Sequence, residues 1–117
     1  MPQLISVGSK LFRINLALNR IESSATGGYT WVPRCKLSDH YGKAKDLLSF
    51  HNKLFLLTEK GIYFSRNEGA DWGRCGSGKI VESLVALQDG GNCILGLSAE
   101  GRLYFSNNEG ADWGGRG

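Results

Sequence analysis

Proline, methionine and histidine are scarce in this chain, and a long apolar segment is missing. Its 117 residues include two prolines, one methionine and two histidines, against seventeen glycines. No stretch approaches the roughly 18 apolar residues of a membrane-spanning helix, and no basic start followed by an apolar core marks a secretory signal. We therefore expect no membrane association, and a cytoplasmic protein if Met1 is the natural start.

Cysteine is also sparse, and its spacing argues against two kinds of site. The three cysteines, Cys35, Cys75 and Cys93, are odd in number, lie far apart and form no C-x-x-C pair. A disulfide framework needs paired cysteines, and a zinc site needs closely spaced ligands. The sequence predicts buried thiols, no metal site and no cofactor.

The excess of positive charge is small and dispersed. Fourteen Lys and Arg against eleven Asp and Glu give a formal net charge of +3. Proteins that bind nucleic acid usually concentrate basic residues on one face or one element, so we expect no nucleic-acid partner. With 41% hydrophobic residues, the chain has enough apolar surface for one packed domain.

What the sequence does contain is an internal repeat. Trp31, Trp72 and Trp113 are each separated by 41 residues, and Ser24, Ser65 and Ser106 keep the same interval. The three segments read SATGGYTW, SRNEGADW and SNNEGADW. A fixed period of this length is typical of propellers and other repeat folds.

Short apolar runs recur ahead of each repeated serine. In the first unit they are LISV, KLFRI and RIESS, and a fourth run, WVPRC, begins at the tryptophan. Runs of four to six residues bounded by Gly, Asn and Asp predict strands, and four strands in a unit of about 41 residues are typical of a β-propeller blade. The sequence predicts an all-β single domain of three four-stranded antiparallel blades, with boundaries near 1–36, 37–78 and 79–117.

The repeated octapeptide resembles the Asp-box, or BNR, repeat found in sialidase-like propellers. That family carries Ser/Thr-x-Asp-x-Gly-x-Thr-Trp in the loop between the third and fourth strands of a blade. The resemblance implies that the matching positions stabilise loops rather than bind ligand. These positions are Ser24, Gly28, Thr30, Trp31, Ser65, Asn67, Gly69, Asp71, Trp72, Ser106, Asn108, Gly110, Asp112 and Trp113.

The three units match the family pattern unequally. The first unit has Thr26 where the family has Asp or Asn, so we expect its loop to be looser. The second and third units have Asp71 and Asp112 in place of the usual Thr. At the Asp position they carry Asn67 and Asn108, which can accept backbone hydrogen bonds as Asx turns do.

The resemblance leaves function open, because Asp-box propellers include sialidases, xyloglucan-degrading enzymes, a receptor domain and a photosystem assembly factor. No spacing in the sequence selects a catalytic pair or triad. We therefore favour a non-enzymatic module that binds a glycan or a protein. The alternatives are a sialidase-like glycoside hydrolase and a truncated structural remnant of a larger propeller.

Three blades form an open wedge with an unprotected face at each end. Closed propellers usually have four to eight blades. Exposed apolar faces favour association, and two head-to-tail copies would complete a six-bladed ring. We predict that homodimer.

In such a ring, ligand binding is expected at the mouth of the central channel. The longest connection on that side is predicted at 34–46, and its polar and aromatic side chains suit a sugar or a protein as well as plain solvation. The candidate ligand-binding residues are Lys36, Asp39, His40, Tyr41, Lys43 and Lys45.

Overall fold

A computed structural model describes residues 4–38, 40–51 and 53–115, and these form three separate four-stranded sheets. Sheet 1 contains β1 (Leu4–Val7), β2 (Lys10–Asn15), β3 (Arg20–Ser24) and β4 (Val32–Lys36). Sheet 2 contains β5 (Ala44–Phe50), β6 (Lys53–Thr58), β7 (Gly61–Ser65) and β8 (Gly73–Gly76). Sheet 3 contains β9 (Leu84–Asp89), β10 (Ile94–Ser98), β11 (Leu103–Ser106) and β12 (Gly114–Gly115).

Each sheet follows the chain order, and every neighbouring pair of strands is antiparallel. The prediction of an all-β chain with three four-stranded antiparallel sheets is therefore confirmed. The boundaries proposed between the units stay a prediction.

Burial along the strands shows which sheet lies in the middle. In β2 of sheet 1, buried Phe12 and Ile14 alternate with half-buried residues, as in a strand with one covered face. In β6 of sheet 2, five consecutive residues after Lys53 are buried. Sheet 2 is therefore covered on both faces and lies between the other two.

Two apolar clusters fill the spaces between the sheets. In the first, Phe12 and Ile21 of sheet 1 pack with Leu47, Leu56 and Tyr63 of sheet 2. The second joins the opposite face of sheet 2 to sheet 3, and its buried members are Leu48, Phe50, Phe55, Leu57, Ile62, Val81, Leu84, Leu87 and Ile94. The first strand of each sheet lies next to the first strand of the following sheet.

One connection differs from the all-strand pattern of the sequence. Residues Lys79–Ser83 form a helix of five residues, α1, between β8 and β9. Gly78 precedes it at φ 113°, a conformation that favours glycine. Val81 anchors the helix in the second apolar cluster, and Ser83 Oγ donates to the carbonyl of Ile80 at 2.6 Å.

Candidate functional site

The repeated loops follow the third strand of each sheet, and their side chains bond mainly to their own backbone. In sheet 2, Ser65 Oγ accepts hydrogen bonds from the N–H groups of Asn67 (3.3 Å) and Gly69 (2.9 Å). Asn67 Oδ1 accepts from the N–H of Asp71 at 2.9 Å. The Trp72 indole donates to the carbonyl of Gly69 at 2.9 Å. These bonds fix the loop internally.

The loop of sheet 3 repeats this pattern. The N–H of Gly110 donates to Ser106 Oγ at 2.8 Å, and the N–H of Asp112 donates to Asn108 Oδ1 at 2.8 Å. The Trp113 indole donates to the carbonyl of Gly110 at 2.9 Å. Gly110 has φ 93°, which a residue with a Cβ rarely adopts.

The loop of sheet 1 reaches similar geometry with different side chains. The N–H of Gly28 donates to Ser24 Oγ at 2.9 Å, and the N–H of Thr30 donates to Thr26 Oγ1 at 2.9 Å. The threonine therefore occupies the acceptor position of Asn67 and Asn108. Trp31 lies beneath a guanidinium, with Arg13 Cζ 4.1 Å from the ring centroid.

The residues predicted to bind ligand in the 34–46 connection lie in different environments. Lys36, His40 and Lys43 are exposed, whereas Asp39 lies outside the described residues. Tyr41 is half-buried and packs edge-to-face on Tyr63 with ring centroids 4.9 Å apart. Burial, followed by the nearby Cys35, Tyr63 and Asp71, raises the pKa of Tyr41.

Lys45 is engaged within the fold rather than presented on a loop. Its Nζ donates to the carbonyls of Glu82 (3.1 Å) and Leu84 (2.8 Å), which connects sheet 2 to the start of sheet 3. Burial lowers the pKa of Lys45, and the nearby Glu59 and Glu82 oppose that effect. Tyr41 and Lys45 thus contribute to packing, and only Lys36, His40 and Lys43 of the described candidates are exposed.

Asn19 holds the 37–44 segment against the β2–β3 turn. Its Nδ2 donates to the carbonyls of Leu37 (3.2 Å) and Gly42 (3.1 Å), and its Oδ1 accepts from the N–H of Ala44 at 3.0 Å. Asn19 has φ 47°, a left-handed conformation that asparagine tolerates better than most residues. These three hydrogen bonds hold the turn against Leu37, Gly42 and Ala44 of the connection.

The turn also displays two apolar side chains that sequence reasoning missed. Leu16 and Leu18, in the turn that precedes Asn19, are 55% and 52% exposed. Asn19 holds the turn that carries them against the 37–44 segment, which also carries the exposed His40 and Lys43. We call Leu16, Leu18, Lys36, His40 and Lys43 the loop-end surface.

A buried carboxylate, Asp46, was also missed. It lies on the first strand of sheet 2 and is fully buried. Its oxygens accept from the N–H groups of Leu47 (3.0 Å) and Leu87 (2.8 Å), the latter in sheet 3. Burial outweighs these two hydrogen bonds and raises the pKa of Asp46 to about 6. The side chain links the first strands of two sheets.

The cysteines are less uniform than the sequence suggested. Cys93 is buried, whereas Cys35 and Cys75 are half-buried. Burial raises the pKa of Cys75 to about 12, and burial followed by the charge of Asp71 raises that of Cys35. Both thiols are therefore protonated near neutral pH and are poor nucleophiles.

The described residues contain neither a metal-ligand cluster nor a membrane-spanning helix. Within 4–38, 40–51 and 53–115, no three His, Cys, Asp or Glu side chains are grouped as metal ligands. None of the helical residues described forms a segment with the length and apolar character of a membrane span.

Comparisons with known proteins identify the fold. No protein-family model and no curated protein matches the chain. Its fold is similar to that of YCF48 bound to D1 peptide, with a TM-score of 0.73, 16% sequence identity, and coverage of 91% of this chain and 36% of that one. It is also similar to YCF48 from Cyanidioschyzon merolae, with a TM-score of 0.67, 18% identity, and coverage of 92% and 33%.

YCF48 is a β-propeller protein, so the three sheets have the arrangement of part of a propeller. The chain spans about a third of the length of these two structures. At this level of identity, the similarity concerns the fold alone.

Proposed function

We propose that this chain is a non-enzymatic propeller module that binds an extended protein segment at its loop-end surface. The observation that carries the proposal is that a turn with two exposed leucines is hydrogen-bonded through Asn19 to a connection with exposed basic side chains. The similar structure that holds a D1 peptide supports protein binding as a use of this fold.

The chemistry of the loop-end surface indicates the kind of segment it would bind. Leu16 and Leu18 offer apolar contact area that is exposed to water in the free protein, so covering it would favour binding. Lys36 and Lys43 offer positive charge and hydrogen-bond donors. A partner segment with apolar residues next to Asp or Glu would satisfy both, and the charges would favour correct orientation.

The repeated loops act as Asp-boxes in this proposal. Their serine, asparagine and tryptophan side chains bond to their own loop, which supports a structural role. Three blades with boundaries near 1–36, 37–78 and 79–117 form half of a ring. A second copy completes six blades, so that each ring carries two equivalent loop-end surfaces. Two linked sites would raise the avidity for a partner with two copies of the segment.

The proposal is tested by selecting binders from a library of random short peptides on the immobilised protein. Enriched peptides are expected to combine Leu, Ile or Phe with Asp or Glu. Their affinity, measured by fluorescence anisotropy, is expected to fall at least about tenfold in Leu18→Asp and in Lys43→Glu, since each change removes one kind of contact.

Arg66→Glu provides the matched control, because Arg66 is exposed in the repeated loop of sheet 2 rather than in the loop-end surface. Equal loss of affinity in the control and in Lys43→Glu would contradict the assigned site. Binding on a glycan array with no enriched peptide would favour the glycan alternative. Turnover of fluorogenic glycosides would favour the hydrolase. Either result would overturn the proposal.

A further inference from the structure

The two junctions inside the chain follow the same packing rule. A Cβ placed on Gly69 would lie 3.5 Å from Ile21 Cγ2, and one placed on Gly110 would lie 3.4 Å from Ile62 Cγ2. Ile21 and Ile62 occupy corresponding positions in the third strands of sheets 1 and 2. At each junction, the isoleucine of one sheet therefore covers the repeated-loop glycine of the next.

An ion pair also recurs at both junctions. Lys10 Nζ lies 2.9 Å from Glu68 Oε1, and Lys53 Nζ lies 2.8 Å from Glu109 Oε1. Each lysine begins the second strand of one sheet, and each glutamate lies in the repeated loop of the next. The position of the lysine in sheet 3 is taken by Cys93, and that of the glutamate in sheet 1 by Gly27.

The outer face of sheet 3 points away from sheet 2. Its side chains are of the same kind as those that sheet 2 buries against sheet 3. By strand register, its Leu95, Leu97 and Leu103 correspond to Phe55, Leu57 and Ile62 of sheet 2. Those three are at most 1% exposed, because sheet 3 covers them. Leu97 is 39% exposed and, with Leu95 and Leu103, lines an open groove of about 330 Å³.

The outer face of sheet 1 has the matching position for an aliphatic side chain. Gly28 corresponds to Gly69 and Gly110, and a Cβ placed on it would have only Leu11 Cδ1 (3.8 Å) and Trp31 Cζ2 (3.9 Å) nearby. Both atoms belong to the same repeat unit as Gly28. Among the described residues, no side chain of another sheet covers Gly28 as the isoleucines cover the other two glycines.

We propose that the outer face of sheet 3 binds the outer face of sheet 1 in a second copy, with Leu103 packed over Gly28 of the partner subunit. This inference rests on the proposed six-bladed assembly and names its junction. Two such junctions close the ring by twofold symmetry. Because Cys93 and Gly27 take the positions of the ion pair, this junction lacks the salt bridge of the two internal junctions, and we expect its stability to depend little on salt.

A second copy of this chain is the partner we propose for the outer face of sheet 3, because the outer faces of sheets 1 and 3 fit each other. Sheet 1 contributes Leu4 (55% exposed), Leu11 and the Trp31 ring with Arg13 stacked on it. The carboxylate of Glu22 is already paired with Arg13 and Arg20 and hydrogen-bonded by Asn15. Its charge therefore needs no further partner when the face is covered.

The test is light scattering on a sizing column for the full chain and three variants. The wild type is expected to form a dimer whose mass is unchanged between about 0.1 and 1 M NaCl, where charge screening differs strongly. Leu97→Asp and Leu4→Asp are each expected to be monomers. Leu18→Asp, with a similarly exposed leucine at the loop end, is expected to stay dimeric. Circular dichroism establishes that each variant is folded.

Mixing the two monomeric variants separates head-to-tail association from other arrangements. An equimolar mixture of Leu97→Asp and Leu4→Asp can form one junction between two unmodified faces, so it is expected to show dimers that neither variant forms alone. A dimer of Leu4→Asp alone, or a monomeric wild type, would overturn the inference. Peptide binding by the loop-end surface does not require this junction, so the two proposals fail independently.

Discussion

The two end faces of the stack are opposite faces of the repeated sheet, and they differ in chemistry. On the outer face of sheet 1, one row across the strands reads Leu4, Arg13 and Glu22. The equivalent row of sheet 2, Leu47, Leu56 and Tyr63, is buried in the first apolar cluster. The outer face of sheet 3 presents leucines instead. One end of the stack therefore carries a charge network of one carboxylate and two guanidinium groups, and the other remains apolar.

This difference shows that the side chains on one face of a repeated sheet can change from apolar to charged while the backbone stays the same. Replacing an apolar row by paired charges keeps the strand register and makes an end face compatible with water, as terminal repeats of other arrays do. The apolar end has no such adaptation, and in the proposed dimer it would supply most of the driving force for association.

The largest expected effect concerns Asp46, which lies in a covered junction and whose position in sheet 3 is taken by Ala86. Its folded pKa of about 6 exceeds the ordinary value of 3.8. The folded state thus binds a proton more tightly, and this contribution is fully present below about pH 4 and lost as pH rises through 6. The total loss is on the order of 3 kcal/mol. Urea unfolding between these pH values measures it.

Asp46→Asn is the matched variant, because it removes the titrating group and nearly keeps its shape. Its free energy of unfolding is expected to change less over this pH range than that of the wild type. Parallel pH profiles for the two proteins would contradict the assignment of the effect to Asp46.

The next largest effect is expected when the buried carboxylate of Glu22, in sheet 1, is removed. Glu22→Ala is expected to cost about 2 kcal/mol at pH 7, because the buried carboxylate bonds to two arginines and to Asn15. Glu100→Ala, at an exposed position, should change stability by less than about 0.5 kcal/mol. Chemical denaturation of both variants makes the comparison, and equal effects would mean that the network adds nothing.

The pH dependence of Glu22 has the opposite sign to that of Asp46. Burial raises its pKa, but hydrogen bonds from Arg13, Arg20 and Asn15 outweigh burial and hold the pKa below the ordinary value of 4.5. Its contribution is present above pH 4.5 and lost as pH falls through the folded value. The cost of Glu22→Ala should therefore shrink in acid.

Placing the side chains of the sheet 2 row at the equivalent positions of sheet 1 directly tests the comparison of the end faces. The double variant Arg13→Leu/Glu22→Tyr gives sheet 1 the side chains that sheet 2 uses in a covered junction. The dissociation constant of the dimer is expected to fall at least about tenfold, since apolar area replaces a charge network that must be desolvated on binding. A dilution series measures this constant, and weaker association would mean that the charges aid docking.

The smallest expected effect is at Tyr63, which takes the place of Glu22 in sheet 2. Its hydroxyl is buried and has no hydrogen-bond partner among the described residues. Tyr63→Phe is expected to leave stability unchanged or raise it by up to about 1 kcal/mol, because no bond is lost. A clear fall in the melting temperature of Tyr63→Phe would mean that the Tyr63 hydroxyl makes a hydrogen bond in the folded protein.

Local pattern predicted the architecture because the repeat carries its own turn chemistry. The 41-residue interval and the short apolar runs were sufficient for three antiparallel sheets. Helix α1 escaped prediction because five residues give too little periodicity. In the loop around Thr26, the threonine hydroxyl accepts from the N–H of Thr30 and takes the place of the asparagine oxygen, and the expectation that this loop is looser stays a prediction.

The site was harder to predict because exposure depends on distant segments. Tyr41 and Lys45 resemble ordinary loop residues in sequence, yet Tyr63 and the carbonyls of Glu82 and Leu84 engage them in the fold. Leu16 and Leu18 lie outside the apolar runs from which the strands were predicted, and nothing in the sequence marked them as exposed. Only the packed structure shows that the turn carrying them points to solvent beside the 37–44 segment.

The mass of the wild-type protein in solution, measured by light scattering over a dilution series, tests the central claim most directly. A dimer of twice the 12.8 kDa chain that persists in high salt is the predicted result. A well-folded 12.8 kDa monomer at all concentrations would contradict the claim that the apolar face of sheet 3 binds a second copy.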